Sequence, residues 1–533
     1  MPQMLAQRLV EIAAPAERVR DAVVEYLDVA DHEFASGAAD TVRVPFAAIA
    51  DDAHQQIHLT SHDDMTTLEV EATSEIRVPY FHWLFGGLIV AQLERRVDHT
   101  AANIRAAVFD EPRPAPLRAP LLLANVPFSQ AQATMLACAA FATTMATFGG
   151  SLLGQNAQNV QDSFGIADSS LTRVLAISRS GALVALFVMA LADRVGRRKM
   201  ILVGLGGVAI SNVLSAFAPD VYTLTVLQST TRGFVGAAAI VAGIAAIEEA
   251  PEGARAFAAA MLTMAGGFGF TMVVVLLPLA DVGQESWRLG FAISGLTLFL
   301  LPGLARRIHE TRRYSDLSGR DVARGRAGEV VDRRYGKRFI LLAAVGFMTN
   351  MLAAPSAGLM NKYLEDDRGF SNSGILGFRA VTTGLPGFVG IVLAGRLSEL
   401  RGRRPVAAVF LSLAGLCQIG FFLSEGTLLY VFSILSVLAA SCGGLAISTM
   451  GAELFPTEVR GTSNGMLLIV SVMGSAAGLL IAGMLSESLG GVGKAIAWCA
   501  IPTIVAALAL IPFLPEPAGK DLDEISPTEE DVT

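Results

Sequence analysis

What the chain leaves out narrows its identity first. In 533 residues there are only four cysteines. Cys138, Cys417, Cys442 and Cys499 each stand inside an apolar run without metal-ligand spacing, so they read as small packing residues rather than a disulfide frame or a metal site. Charge is scarce at 17%, against 53% hydrophobic residues, a balance too apolar for a soluble multidomain protein. The start has no basic stretch leading into an apolar core, so no cleavable signal peptide is expected. The net charge of −8 comes largely from the N-terminal part and the C-terminal tail, which leaves no nucleic-acid footprint. No Asp or Glu falls in the middle of any apolar run long enough to cross a bilayer, so an easily protonated intramembrane carboxylate is missing.

What is there is a series of long apolar runs from Ala131 to Leu514. About twelve of them approach the ~20 residues that a bilayer core requires, which predicts an all-α polytopic membrane protein with two six-helix repeats. The first half is expected over 131–305 and the second over 339–515, joined by a polar connector at 306–338 and followed by an acidic tail at 516–533. The connector and the loops at Arg194 and Arg401 are rich in arginine, while the opposite loops carry Asp162, Asp168, Asp220, Asp281 and Glu425. By the positive-inside rule both termini lie in the cytoplasm and the chain spans the cytoplasmic (inner) membrane.

The loop Leu191-Ala-Asp193-Arg194-Val-Gly196-Arg197-Arg198-Lys199 packs an acid, a glycine and four cations between two apolar spans. Alone it reads as a topology anchor. A second copy follows at Leu397-Ser-Glu399-Leu-Arg-Gly402-Arg403-Arg404, with 399 − 193 = 206 and 402 − 196 = 206. Glu248, Pro251 and Arg255 recur as Glu453, Pro456 and Arg460 at an offset of 453 − 248 = 205, and Arg173 recurs as Arg379 at 379 − 173 = 206. Matched charges at one period in two apolar halves indicate an internal duplication.

These motifs resemble the major facilitator superfamily over about 131–525. The Asp193 loop is similar to that family's signature between spans two and three, departing from it at Met189, where a glycine is usual. Glu453-Leu-Phe-Pro456-Thr-Glu-Val-Arg460-Gly461 and Leu514-Pro-Glu516-Pro-Ala-Gly519 resemble the signatures after spans ten and twelve of its sugar porter and metabolite symporter branch; Glu310-Thr-Arg312 is a looser match after span six. The resemblance implies a secondary active transporter of a small-molecule solute working by alternating access. It also implies gating by ion pairs at Asp193, Arg194, Gly196, Arg197, Arg198, Glu248 and Arg255 in one half. Their counterparts in the other are Glu399, Gly402, Arg403, Glu453 and Arg460. Topology and packing alone are the plainer alternative for all of them.

Cations inside the spans point to the solute. Arg179 lies 193 − 179 = 14 residues from the loop acid, or about 21 Å along a helix, and Arg232 lies 248 − 232 = 16 residues, or about 24 Å, from Glu248. Both are therefore within the bilayer. They face either a pathway for a polar or anionic solute, or internal carbonyls. Arg232-Gly-Phe-Val-Gly236 is similar to the family's span-four R-x-x-x-G motif, whose arginine is associated with proton coupling. Arg173 and Arg379, at 20 residues or about 30 Å from their loop acids, are expected to snorkel at the outer interface. Thr143, Thr144, Thr147, Gln155, Asn156 and Asn350 add polar groups to the pathway or bond their own backbone. With no mid-span acid, proton coupling falls to Glu248 or Glu249, to a protonated solute, or is absent, leaving a facilitative uniporter.

Residues 1–112 are of another kind. Alternation at Arg8–Ile12, Thr41–Phe46, Gln56–Thr60 and Thr67–Val78 predicts strands, with helices over Ala16–Leu27 and Tyr80–Val108. This small α+β cytoplasmic domain resembles START-like (polyketide cyclase) domains, which implies an apolar ligand; an accessory domain with an ordinary core is the alternative. A proline-rich linker is expected at 113–130. His54, His58, His62 and His82 lack metal spacing with a carboxylate cluster, so no catalytic residue, metal or cofactor is expected and an enzyme is disfavoured. A membrane sensor with a ligand-binding cytoplasmic domain remains the second reading.

Overall fold

The apolar runs fold as long helices, and the N-terminal alternating runs as a sheet, in a computed structural model of the full chain. It describes residues 4–27, 40–45, 53–62, 65–117, 126–184, 195–251, 254–311, 336–455, 457–509 and 511–516. The side chains of 4, 40, 43–45, 62, 256, 395, 399, 451–453 and 457–462 lie outside that description.

Two compact units result: Met1–Phe141 with Ala242–Ala265 and Leu304–Arg313, and Ala142–Val241 with Gly266–Gly303 and Tyr314–Thr533. In the first, β1 (Met4–Ile12), α1 (Ala16–Leu27), β2 (Asp40–Pro45), β3 (His54–His62), β4 (Met65–Ser74) and α2 (His82–Phe109) follow in order. The sheet is antiparallel in the order β1-β4-β3-β2, with Val10 opposite Leu68 and Ile57 opposite Val70. Period-two burial along β4 puts Leu68, Val70 and Ala72 on one face, where they meet Leu93, Val97 and Ile104 of α2. Val19, Ala22 and Val23 of α1 close the same core at helical spacing. Each large aliphatic side chain fully buried there contributes about 1.5–3 kcal/mol.

This core does not stop at residue 112. Phe128, Ala133 and Ala254 belong to it, with Leu136 and Phe257 packed alongside. Tyr80 takes a left-handed backbone, φ 67°, and stacks on Phe141 with ring centroids 4.2 Å apart. The Arg307 guanidinium lies 5.5 Å from the Tyr80 ring and its Nη1 donates to the Tyr80 hydroxyl at 3.4 Å. Burial pushes the Tyr80 phenol above its ordinary range, against the pull of Arg307. Of the aromatic residues around the start of α2, Tyr80 is thus held by protein contacts, while Trp83 stays 69% exposed.

Eleven helices among the described residues are long and apolar enough to cross a membrane. The first half holds α3 (Gln130–Gln155), the short α4 (Ala157–Phe164), α5 (Asp168–Ser180), α6 (Arg197–Ala216), α7 (Val221–Glu249), α8 (Arg255–Leu276), α9 (Trp287–Ser294) and α10 (Thr297–Arg307). The second holds α11 (Gly336–Lys362), α12 (Asn372–Thr382), α13 (Gly384–Arg401), α14 (Arg403–Leu423), α15 (Thr427–Glu453), α16 (Thr457–Leu489) and α17 (Val492–Ala509). The remaining expected span, 171–192, is represented by α5 and a 3₁₀ turn at Gly181–Leu183; residues 185–194 lie outside the described set.

The duplication is visible in the backbone. Gly196 (φ 104°, ψ 148°) and Gly402 (φ 90°, ψ 155°) each precede the next helix in a conformation that L side chains rarely adopt. At the second copy Glu516 closes the turn, its two carboxylate oxygens accepting from the backbone N–H groups of Arg403 (2.8 Å) and Arg404 (3.0 Å). A carboxylate there satisfies free donors and the positive end of α14. Glu310 precedes Glu516 by the same 516 − 310 = 206 residues.

Candidate substrate pathway

Arg179 stands in the last turn of α5 and Arg232 in the middle of α7. Gly181 brings the two helices together, because a Cβ there would meet the Ser229 carbonyl oxygen at 2.0 Å. The two cations end up close enough to repel each other. Behind them α7 is pinned by a buried amide network: Gln228 Nε2 donates to Asn212 Oδ1 (3.0 Å) and Ser215 Oγ (2.9 Å), and Asn212 Nδ2 donates to the Gly149 carbonyl (3.2 Å). Such a network fixes the rotation of α7, since each unpaired amide in hydrocarbon is costly.

Arg179 makes one long bond, from Nη2 to the Ala354 carbonyl of α11 at 3.4 Å, and Arg232 makes none to the described residues. Neither has a carboxylate partner among them. Two partly exposed arginines with spare donors, one of them reaching α11 of the second half, form a site that can bind an anion.

The polar residues expected to line the pathway divide. Thr143 and Thr147 face Gly266 of α8. Asn350 Nδ2 donates to the Gly346 carbonyl one turn back (2.9 Å), and Asn156 Nδ2 likewise to Leu152 (3.0 Å). Gln155 is 4% exposed and ties the halves together: its Nε2 donates to the Ala357 carbonyl (3.2 Å), while Asn361 Nδ2 donates to its backbone carbonyl (2.8 Å) and its Oε1 (3.2 Å).

That tie continues into a cluster in which the loop acids Asp168 and Asp281 meet partners that the sequence did not single out. Lys362, 4% exposed, donates from Nζ to Gln158 Oε1 (2.8 Å) and pairs with Asp168 (3.2 Å) and Asp366 (2.5 Å). Asn372 and Ser373 of α12 donate to Asp281 (2.6 and 3.3 Å). Lys362 lies just beyond the run expected to form span seven, so its charge looked like an interfacial one. Nearby, Arg288 donates to the Ala216 and Ala218 carbonyls at the end of α6 and to Glu285. Its hydrogen bond, with that of Ser163, holds the Glu285 carboxyl below the ordinary range.

At the opposite helix ends, Thr311 Oγ1 donates to Glu248 Oε2 at 3.0 Å, and Arg255 is exposed. Arg197 is buried at the start of α6. Asp193, Arg194 and Met189 lie outside the described residues, as do the side chains of Glu399, Glu453 and Arg460. Arg173 is exposed, as a snorkelling arginine should be. Arg379 is not: it is 5% exposed, its guanidinium 5.5 Å from the Phe270 ring of α8.

The model of the Major Facilitator Superfamily matches residues 139–385 and 339–530. The chain belongs to the Major Facilitator Superfamily. It is 25% identical over 68% of its length to the gallate transporter of Pseudomonas putida, 87% of which is covered. It is 23% identical to a probable 4-methylmuconolactone transporter of Cupriavidus pinatubonensis, over 63% of this chain and 79% of that one. In fold it is similar to the inward-open xylose transporter XylE of E. coli, with a TM-score of 0.62, 15% identity, and 74% of this chain covering 99% of that one. The protein is a secondary solute transporter of this superfamily, a multi-pass membrane protein and not an enzyme. The halves seen here as a 206-residue repeat are the family's two parallel repeats.

Proposed function

We propose that the protein carries small organic anions across the cytoplasmic membrane by alternating access, with Arg179 and Arg232 binding the solute's negative charge. The observation that carries this is the close approach of their helices at Gly181 and Ser229, with neither arginine holding a carboxylate partner among the described residues and Arg179 reaching the Ala354 carbonyl of α11. Relatives named for gallate and for a muconolactone support a carboxylate or lactone as the solute class. In this reading the latch at Lys362 closes the outer side, and the charges of the two matched loops, from Asp193 to Arg198 and from Glu399 to Arg403, close the inner side in the alternate state. Glu248 with Arg255 and Glu453 with Arg460 act beside them. Both termini then lie in the cytoplasm, residues 1–112 form a cytoplasmic domain, and 306–338 is a cytoplasmic connector. A proton, if the cycle uses one, is carried by Glu248 or Glu249 of α7 or by the solute itself; a cycle without one is a uniporter's.

The test is initial-rate uptake into proteoliposomes of organic acids, sugars and neutral metabolites, with and without an imposed proton gradient, by the wild type and Arg232→Gln. Losing one charged hydrogen-bonding partner of a buried anion is expected to lower kcat/KM for the acid by about 10–100-fold. Gradient-driven uptake identifies symport, and exchange that ignores the gradient identifies a uniporter. Transport of neutral sugars in preference to acids, unaffected by the substitution, overturns the reading.

A further inference from the structure

We propose that Arg379, set against Phe270, is a second anion-binding site in the outer part of the pathway, taking the carboxylate of an organic acid when the outer latch opens. This rests on the organic-anion reading above. The guanidinium is 5% exposed, and its Nε and Nη2 have no hydrogen-bond partner among the described residues. Its contact with the Phe270 ring offsets part of the cost of burying a cation but satisfies none of its N–H donors. Asp281 is the acid that closes onto the same helix, yet it accepts from Asn372 and Ser373 and leaves the arginine unpaired.

The helix is also interrupted at this point. α12 ends at Thr382, α13 begins at Gly384, and Pro386 has no N–H to donate to the Thr382 carbonyl. Thr382 is fully buried and its hydroxyl has no partner either. Broken spans with unpaired polar groups are where membrane transporters place their ligands, because irregular backbone survives at depth only beside a cavity or a ligand.

Repeat symmetry sharpens the point. Arg173 occupies the equivalent position 206 residues earlier and is exposed, which is what an arginine serving only the interface does. Arg379 instead stands on α12 of the second half with its guanidinium against Phe270 of α8 in the first. Seven residues, about 10 Å along the helix, separate it from Asn372. Release of the Asn372–Asp281 contact therefore moves α12 away from the first half and uncovers Arg379. Its planar fork matches a carboxylate in two-point contact, and the Phe270 face offers a surface for the acid's apolar body.

The experiment uses the full chain, with benzoate and gallate as probe acids and benzamide as the uncharged isostere. In liposomes with the outer face outward, Arg379→Gln is expected to raise the KM for acid uptake about tenfold or more, with kcat changed less. Arg379→Lys is expected to recover part of the loss. An unchanged KM overturns the site. So does a matching fall in kcat and thermal stability in both variants, which marks a packing role. Should the wild type move neither acid, the organic-anion reading fails and ligand-induced thermal stabilisation of the purified protein decides the site separately. Stabilisation by benzoate but not benzamide, kept by Arg232→Gln and lost by Arg379→Gln, supports it. No stabilisation, or the same stabilisation in Arg379→Gln, overturns it.

Discussion

Glu516 illustrates how much one side chain settles in this protein. Its carboxylate takes the two free donors at the start of α14 and fills the space that a Cβ at Gly402 would need, 2.8 Å from Glu516 Oε2. Glu516→Ala leaves both N–H groups without this acceptor and the helix dipole uncompensated. It is expected to lower stability by about 1–2 kcal/mol, read as a lower melting temperature of the purified protein. Glu516→Gln keeps an acceptor but not the charge and should fall in between. A variant that melts like the wild type would show that water caps the turn as well as the carboxylate does. Arg179 and Arg232 make the complementary point: neither has a carboxylate partner among the described residues, which is why the proposal gives them the solute's charge.

Among elements, the contact of α4 and α5 with α11 is the one to which the proposed mechanism gives the outer closure. Lys362 holds Gln158, Asp168 and Asp366 at once from a nearly water-free position, so its removal leaves Asp168 and Asp366 without their cation. Lys362→Gln is expected to shift the protein toward the state open on this side. The check is a Gln158→Cys reporter labelled by a membrane-impermeant maleimide: labelling should quicken about 10-fold or more with Lys362→Gln, a shift of roughly 1.4 kcal/mol. The four native cysteines are buried and give little background. Equal labelling rates would remove the latch from the mechanism. The interruption between α12 and α13 is a second feature of this scale: Thr382, the last residue of α12, has a buried hydroxyl with no hydrogen-bond partner among the described residues.

At the level of the whole chain, the N-terminal sheet and the helix ends around it share one core. Phe128, Ala133 and Ala254 are buried in the same cluster as Leu68, Val70 and Leu93. Deleting residues 1–117 therefore uncovers apolar surface on the remaining helices at a cost of about 1.5–3 kcal/mol for each large side chain bared. The truncated chain is expected to melt lower and to lose monodispersity in detergent, as measured by size-exclusion chromatography. Unchanged melting would mean the domain adds nothing to the stability of the helices.

Local rules carried the sequence reading where they apply. Hydrophobic run length sets membrane helices regardless of their partners, and helical spacing sets Ala16–Leu27, so that helix emerges as expected and α3 and α11 begin within about three residues of the expected starts of the two halves at 131 and 339. The repeat was legible because a tight turn demands glycine, and Gly196 and Gly402 cannot be replaced without strain. What the sequence alone could not decide is which charges meet. Arg173 and Arg379 have the same depth and the same place in the repeat, yet one is exposed and the other buried against Phe270. Lys362 looks interfacial until Gln158 and Asp168 arrive from the other half. Burial and pairing of a charge depend on residues about one to two hundred positions away, brought together only by packing. Tertiary structure therefore decided the latch, the broken span and the second arginine.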